Sequence, residues 1–202
     1  MGRLGIDYKK LYFWTIFCFV SAAFCFIFFA FPVCNDDWWA LAEIRDGGVL
    51  GSLKIRFYHD TIRLGNVVAI CSIIWPKWLT CSLISASFVF GFWLMARLSG
   101  LSSTKWRGMA LLAFLVWVFP LWEDAMFSHM YAFNYIPAIA LFFGGIYIFM
   151  HPTKCPVWLS VIVGVLLGAW HESYSILFIT GAILCFISDR SLFEKRRIIL
   201  AM

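Results

Sequence analysis

The chain has 202 residues, of which 63% are apolar, 20% aromatic and only 13% charged. That is about half the charge of a soluble domain, so composition excludes an ordinary globular protein and makes a lipid bilayer the solvent. The formal charge of +5 sits at the edges of apolar runs rather than in a basic stripe, which excludes a nucleic-acid partner.

In chain order, the first element is the uncharged run Leu11–Val33, preceded by Arg3, Lys9 and Lys10. It is too long for a signal-peptide core and no small-residue cleavage site follows, so it reads as a retained transmembrane helix. Residues 34–77 form an extracytoplasmic loop. It is polar, yet it keeps Trp38, Trp39, Leu41, Leu50, Phe57 and Tyr58, a mixture that predicts short amphipathic helices lying on the bilayer. Within it, Asn66–Trp75 is apolar but too short to span, and Pro76 ends it; an interfacial or re-entrant helix is expected.

Further spans are predicted at 78–96, 106–122, 130–150, 155–170 and 173–188. The last two are separated only by His171 and Glu172. Joined, they would make a helix of ~51 Å, too long for one crossing, so a hairpin with those two residues at its tip is expected. The chain therefore reads as an all-α integral membrane protein, a single transmembrane domain over 1–202 with about six transmembrane helices. Eleven of the sixteen basic residues fall on the side of the N-terminus, and eight of the eleven acidic residues on the other. The positive-inside rule then places both termini in the cytoplasm and the chemistry outside.

Four outer stretches carry that chemistry. Asp36 and Asp37 follow the first span; adjacent carboxylates in partial burial repel, which raises one toward proton uptake, although a charged helix boundary would look the same. Phe57–Asn66 holds His59, Asp60, Arg63 and Asn66, with Arg63 suited either to a phosphate or to lipid headgroups. Trp122–Tyr135 holds Glu123, Asp124 and His129 among aromatics, of which Trp122, Tyr131 and Tyr135 fit an interfacial belt. Gly168–Tyr174 holds His171 and Glu172, the latter placed either to line a site or to complement the dipole of the last helix. The seven cysteines include no C-x-x-C pair, and no zinc-binding histidine spacing is present, so neither a metal nor another cofactor is expected.

A first span followed at once by an aspartate motif and surface-lying helices resembles the GT-C superfamily of integral-membrane glycosyltransferases. NDDWW at Asn35–Trp39, HDTIRLGN at His59–Asn66, FNY at Phe133–Tyr135 and GAWHE at Gly168–Glu172 resemble a bacterial group related to its O-antigen and phage-type glucosyltransferases. The resemblance implies a polyprenyl-phosphate-linked sugar donor, a glycan or lipid-linked acceptor, and inverting transfer on the outer face of the bacterial inner membrane. Either Asp36 or Asp37 would be the general base, with Asp37 slightly preferred. Arg63, with His59, would neutralise the departing phosphate. Asn66, Glu123, Asp124, His129, Asn134, His171 and Glu172 would bind substrate or orient the base. Members of that superfamily are generally longer, so the chain is expected to be an N-terminal portion or a truncated member. A transporter or flippase, or a non-catalytic subunit, is the alternative.

Overall fold

A computed structural model describes residues 8–31, 33, 36–59, 63–98, 128–151 and 154–188. Among them are seven helices and no strand: α1 (Tyr8–Ala30), α2 (Asp36–His59), α3 (Leu64–Ser72), α4 (Lys77–Leu98), α5 (His129–Met150), α6 (Val157–Trp170) and α7 (Glu172–Ser188). Leu11–Ala30 of α1, all of α4 and all of α5 are long and apolar enough to cross a membrane. The 14 residues of α6 and the 17 of α7 are apolar but shorter. The expected span 106–122, with Glu123 and Asp124 beyond it, lies outside the described residues.

Side-chain contacts give the direction of each helix. Gly91 lies against Ala140 and Leu94 against Gly144, while the Arg97 guanidinium stands 5.0 Å over the Tyr147 ring, so α4 and α5 run parallel. A Cβ added at Gly91 would come within 3.0 Å of the Ala140 Cα; small residues on both helices are what let their backbones approach so closely. Helix α1 is antiparallel to α4, with Cys25 beside Ser82 and Phe29 under Lys77. The Phe24 and Phe88 rings stack at 3.9 Å between them. Helix α6 returns along α5, from Cys155 and Leu159 beside Ile148 and Phe149 to Trp170 at Phe133. His171, in extended conformation, then turns the chain into α7, as the isolated polar pair predicts. The starts of α2, α4, α5 and α7 and the end of α6 thus meet at one end of the bundle.

The segment expected to lie as short surface helices is built differently in two respects. Helix α2 folds back on itself at Gly48 (φ 67, ψ 178), and Glu43 ties its two arms together. One Glu43 oxygen accepts from the buried Ser52 hydroxyl at 2.7 Å and the other pairs with Arg56 at 3.3 Å. Trp38, Trp39, Phe57 and Tyr58 remain exposed, as a helix bordering lipid requires. Helix α3 is covered by protein: it buries Gly65, Asn66, Ala69, Ile70 and Ser72, chiefly against α5.

The backbone at Gly48 occupies a region essentially closed to other residues. Gly48→Ala is expected to destabilise the fold by ~1–3 kcal/mol. Gly51→Ala, in helical backbone with open space around it, is expected to be neutral or mildly stabilising. Thermal unfolding of the detergent-solubilised variants checks the pair.

Candidate functional site

The two aspartates open α2 and have separate partners. Asp37 is only 4% exposed. Its Oδ2 accepts from the His129 amide at 2.9 Å and its Oδ1 from the Met130 amide at 2.8 Å. The Ser128 hydroxyl accepts from the Tyr131 amide at 3.3 Å. A helix start leaves its first N–H groups without intrahelical acceptors, so Asp37 and Ser128 together supply what the first turn of α5 lacks. The carboxylate charge also complements the helix dipole. Asp36, half-buried, instead has Tyr131 as its electrostatic neighbour.

The His129 side chain reaches into the turn that ends α3. Its Nε2 lies 3.0 Å from the Ala69 carbonyl and 2.8 Å from the Ser72 hydroxyl, which itself donates to Ala69 at 2.9 Å. A carbonyl only accepts, so Nε2 carries the ring hydrogen. His129 and Asp37 line a cleft of about 240 Å³ together with Lys77, while Phe28, Phe31 and Ile84 form its apolar wall. Sequence reasoning passed over Lys77. A signal was there: a cation in the first turn of a helix opposes the dipole, an arrangement that needs a reason.

A second group joins α3 to the α6–α7 turn. Arg63 grips Glu172 with two parallel hydrogen bonds, Nε to Oε2 at 2.7 Å and Nη2 to Oε1. Asn134 donates to Asn66 at 2.5 Å and to the Met130 carbonyl at 3.0 Å. Gly65 lets these elements meet, because a Cβ there would lie 2.6 Å from the Asn134 Oδ1 and 3.0 Å from the Trp170 indole nitrogen. The stretch Arg63-Leu64-Gly65-Asn66 thus has three roles in succession: an ion pair, a close approach and an amide bridge. His171 is buried between the Tyr135 and Tyr174 rings, at 5.0 and 5.7 Å.

Of the residues expected to form a site, Asp36, Asp37, Arg63, Asn66, His129, Asn134, His171 and Glu172 come together at this end of the bundle. His59 ends α2 exposed to its surroundings and takes no part in the hydrogen bonds joining the cluster. Glu123 and Asp124 lie outside the described residues.

The Arg63 hydrogen bonds hold the Glu172 carboxyl below its usual range. Burial, reinforced by Arg63, pushes His171 below the usual imidazole value. Folded His171 therefore binds fewer protons than unfolded His171. Its contribution to stability is present above about pH 6.5 and declines as pH falls through the folded value. Melting temperature measured from pH 8 to pH 5 is expected to drop across the acid part of that range. His171→Phe, which keeps an aromatic ring against Tyr135, is expected to flatten the slope.

No protein family, curated protein or solved structure matches this chain. The functional reading rests on its own residues.

Proposed function

We propose that the chain is a membrane glycosyltransferase of the GT-C kind, moving a sugar from a polyprenyl-phosphate carrier to a cell-surface glycan acceptor. It acts on the extracytoplasmic face of the bacterial inner membrane, with both termini in the cytoplasm. The observation that carries this reading is the cleft in which Lys77, His129 and Asp37 face an apolar wall of Phe28, Phe31 and Ile84. Such a cleft suits an amphiphile with an anionic head and a hydrocarbon tail.

The topology supports six spans. Because α4 and α5 are parallel, Leu98 and Ser128 stand at opposite ends of the bundle. The polar side chains gather at one end rather than at mid-depth, which favours surface chemistry over translocation.

In the proposed reaction an acceptor hydroxyl attacks the anomeric carbon from the side opposite the phosphate. The carbon–oxygen bond to phosphate breaks, its electron pair leaves with the phosphate, and configuration inverts. Asp36 takes the hydroxyl proton. This departs from the preference for Asp37, whose two oxygens are occupied by backbone amides. Asp36 stands beside Tyr131 instead. Lys77 stabilises the charge developing on the departing phosphate, because Arg63 is engaged by Glu172. His129 offers polar contacts from the cleft wall.

Mass spectrometry of surface glycans from cells lacking the gene tests the reading. A sugar increment lost on deletion and restored by this chain supports it. Glycans unchanged by deletion would sink it.

A further inference from the structure

The two aspartates stand on different sides of the start of α5. Asp37 borders the Lys77 cleft, whereas Asp36 meets Tyr131, and from Tyr131 a row of rings leads away from that cleft. The Tyr131 and Tyr135 rings are 6.1 Å apart and within 14° of parallel. They belong to residues four apart on one helix face, where the rise is ~6 Å. Both are half-exposed. The row continues to His171, 5.0 Å from Tyr135, and ends at the half-exposed Glu172.

We infer that this row is a sugar subsite, taking the acceptor glycan along the exposed flank of the stacked Tyr131 and Tyr135, from the Asp36 carboxylate toward that of Glu172. The inference rests on the transferase reading for the word acceptor, and on the geometry alone for the binding of a sugar.

Three features fit a pyranose. A sugar ring presents axial C–H groups on one face and hydroxyls around its rim; the face of an aromatic ring is electron-rich and attracts the former. Carboxylates at both ends accept from the latter. Arg63 uses one lone-pair direction on each Glu172 oxygen and fixes the group in place, which leaves the other directions for hydroxyls. The buried His171 Nε2 has no hydrogen-bond partner among the described residues, directly beside Tyr135. A ligand hydroxyl reaching it would complete its bonding.

An interfacial tyrosine belt would also place rings here, with hydroxyls directed at headgroups. Here Tyr131 has the Asp36 carboxylate as a neighbour and Tyr135 leads on to the buried His171. The arrangement also divides the work: the carrier occupies the apolar-walled cleft, the acceptor lies along the tyrosines, and Asp36 stands at the acceptor end, where a base is needed.

Saturation-transfer NMR on the chain in nanodiscs, with the methyl glycosides of glucose, galactose, mannose and N-acetylglucosamine as probes, tests the subsite without any transfer reaction. At least one glycoside is expected to receive saturation, strongest at its axial protons. Tyr135→Ala is expected to weaken binding roughly three- to tenfold. Tyr135→Phe, which keeps the ring, should retain binding within about twofold and serves as the folding control. Gly51→Ala, in open space on α2, should leave glycoside binding unchanged. The subsite is overturned if the wild-type chain binds none of the four probes, or if Tyr135→Ala binds as well as wild type. Glycoside binding that depends on Tyr135, in cells whose glycans do not respond to deletion, would overturn the transferase reading and leave the sugar site standing.

Discussion

Asp36→Asn is expected to lower sugar transfer by roughly 10²–10⁴-fold while leaving the protein inserted and folded. The amide has nearly the size and shape of the carboxylate, so the local packing is retained. It has no basicity, so the acceptor hydroxyl would have to attack without giving up its proton. General-base help amounts to about 3–5 kcal/mol of barrier; in the proposed reaction the remainder would come from positioning and from charge stabilisation at the phosphate. Tyr131→Phe removes the phenol group beside the carboxylate, leaves the base, and is expected to change transfer far less than Asp36→Asn does. Initial rates in membranes, normalised to inserted protein, decide the matter. Retention of transfer within about threefold by Asp36→Asn would remove Asp36 from the reaction. Loss confined to a still-folded Asp37→Asn would return the base to Asp37.

The parts of this fold legible in the sequence are those written in short-range pattern. Uncharged runs at 11–33, 78–96 and 130–150 correspond to α1, α4 and α5 within a few residues, because a bilayer sets both length and composition. The turn at His171 was legible because two polar residues interrupt an apolar-rich stretch of 34 residues, a length no single crossing accommodates. What eluded the sequence lies in contacts between distant residues. Asp37 caps a helix that begins 92 residues later, and Arg63 finds Glu172 at a separation of 109. No periodicity announces either. The Gly47-Gly48 pair marks a break, yet only the positive φ at Gly48 shows that α2 folds back there. Lys77 was visible but belongs to none of the motifs that single out site residues. The two aspartates, identical in type and adjacent in sequence, could not be told apart until their partners were known.

Asp37→Ala is expected to have the larger effect on the protein itself. The substitution leaves the buried amides of His129 and Met130 without acceptors, at about 1–3 kcal/mol each, and removes a charge that complements the α5 dipole. A total of about 2–6 kcal/mol is a large fraction of the stability of a typical domain. The position of α5 makes the loss global: it contacts α2, α3, α4, α6 and α7, and its first two turns carry His129, Tyr131 and Asn134. Asp37→Asn should fall between, since one amide keeps an oxygen and the other meets an NH2 group that cannot accept. The expected order of melting temperatures in detergent is wild type, Asp37→Asn, Asp37→Ala, with Asp36→Asn close to wild type. An Asp37→Ala protein that melts with wild type would mean the cap does not hold α5. The structural reason for moving the base to Asp36 would fall with it. Activity lost without stability at Asp36, and stability lost at Asp37, is the pattern that assigns one neighbour to the chemistry and the other to the helix it begins.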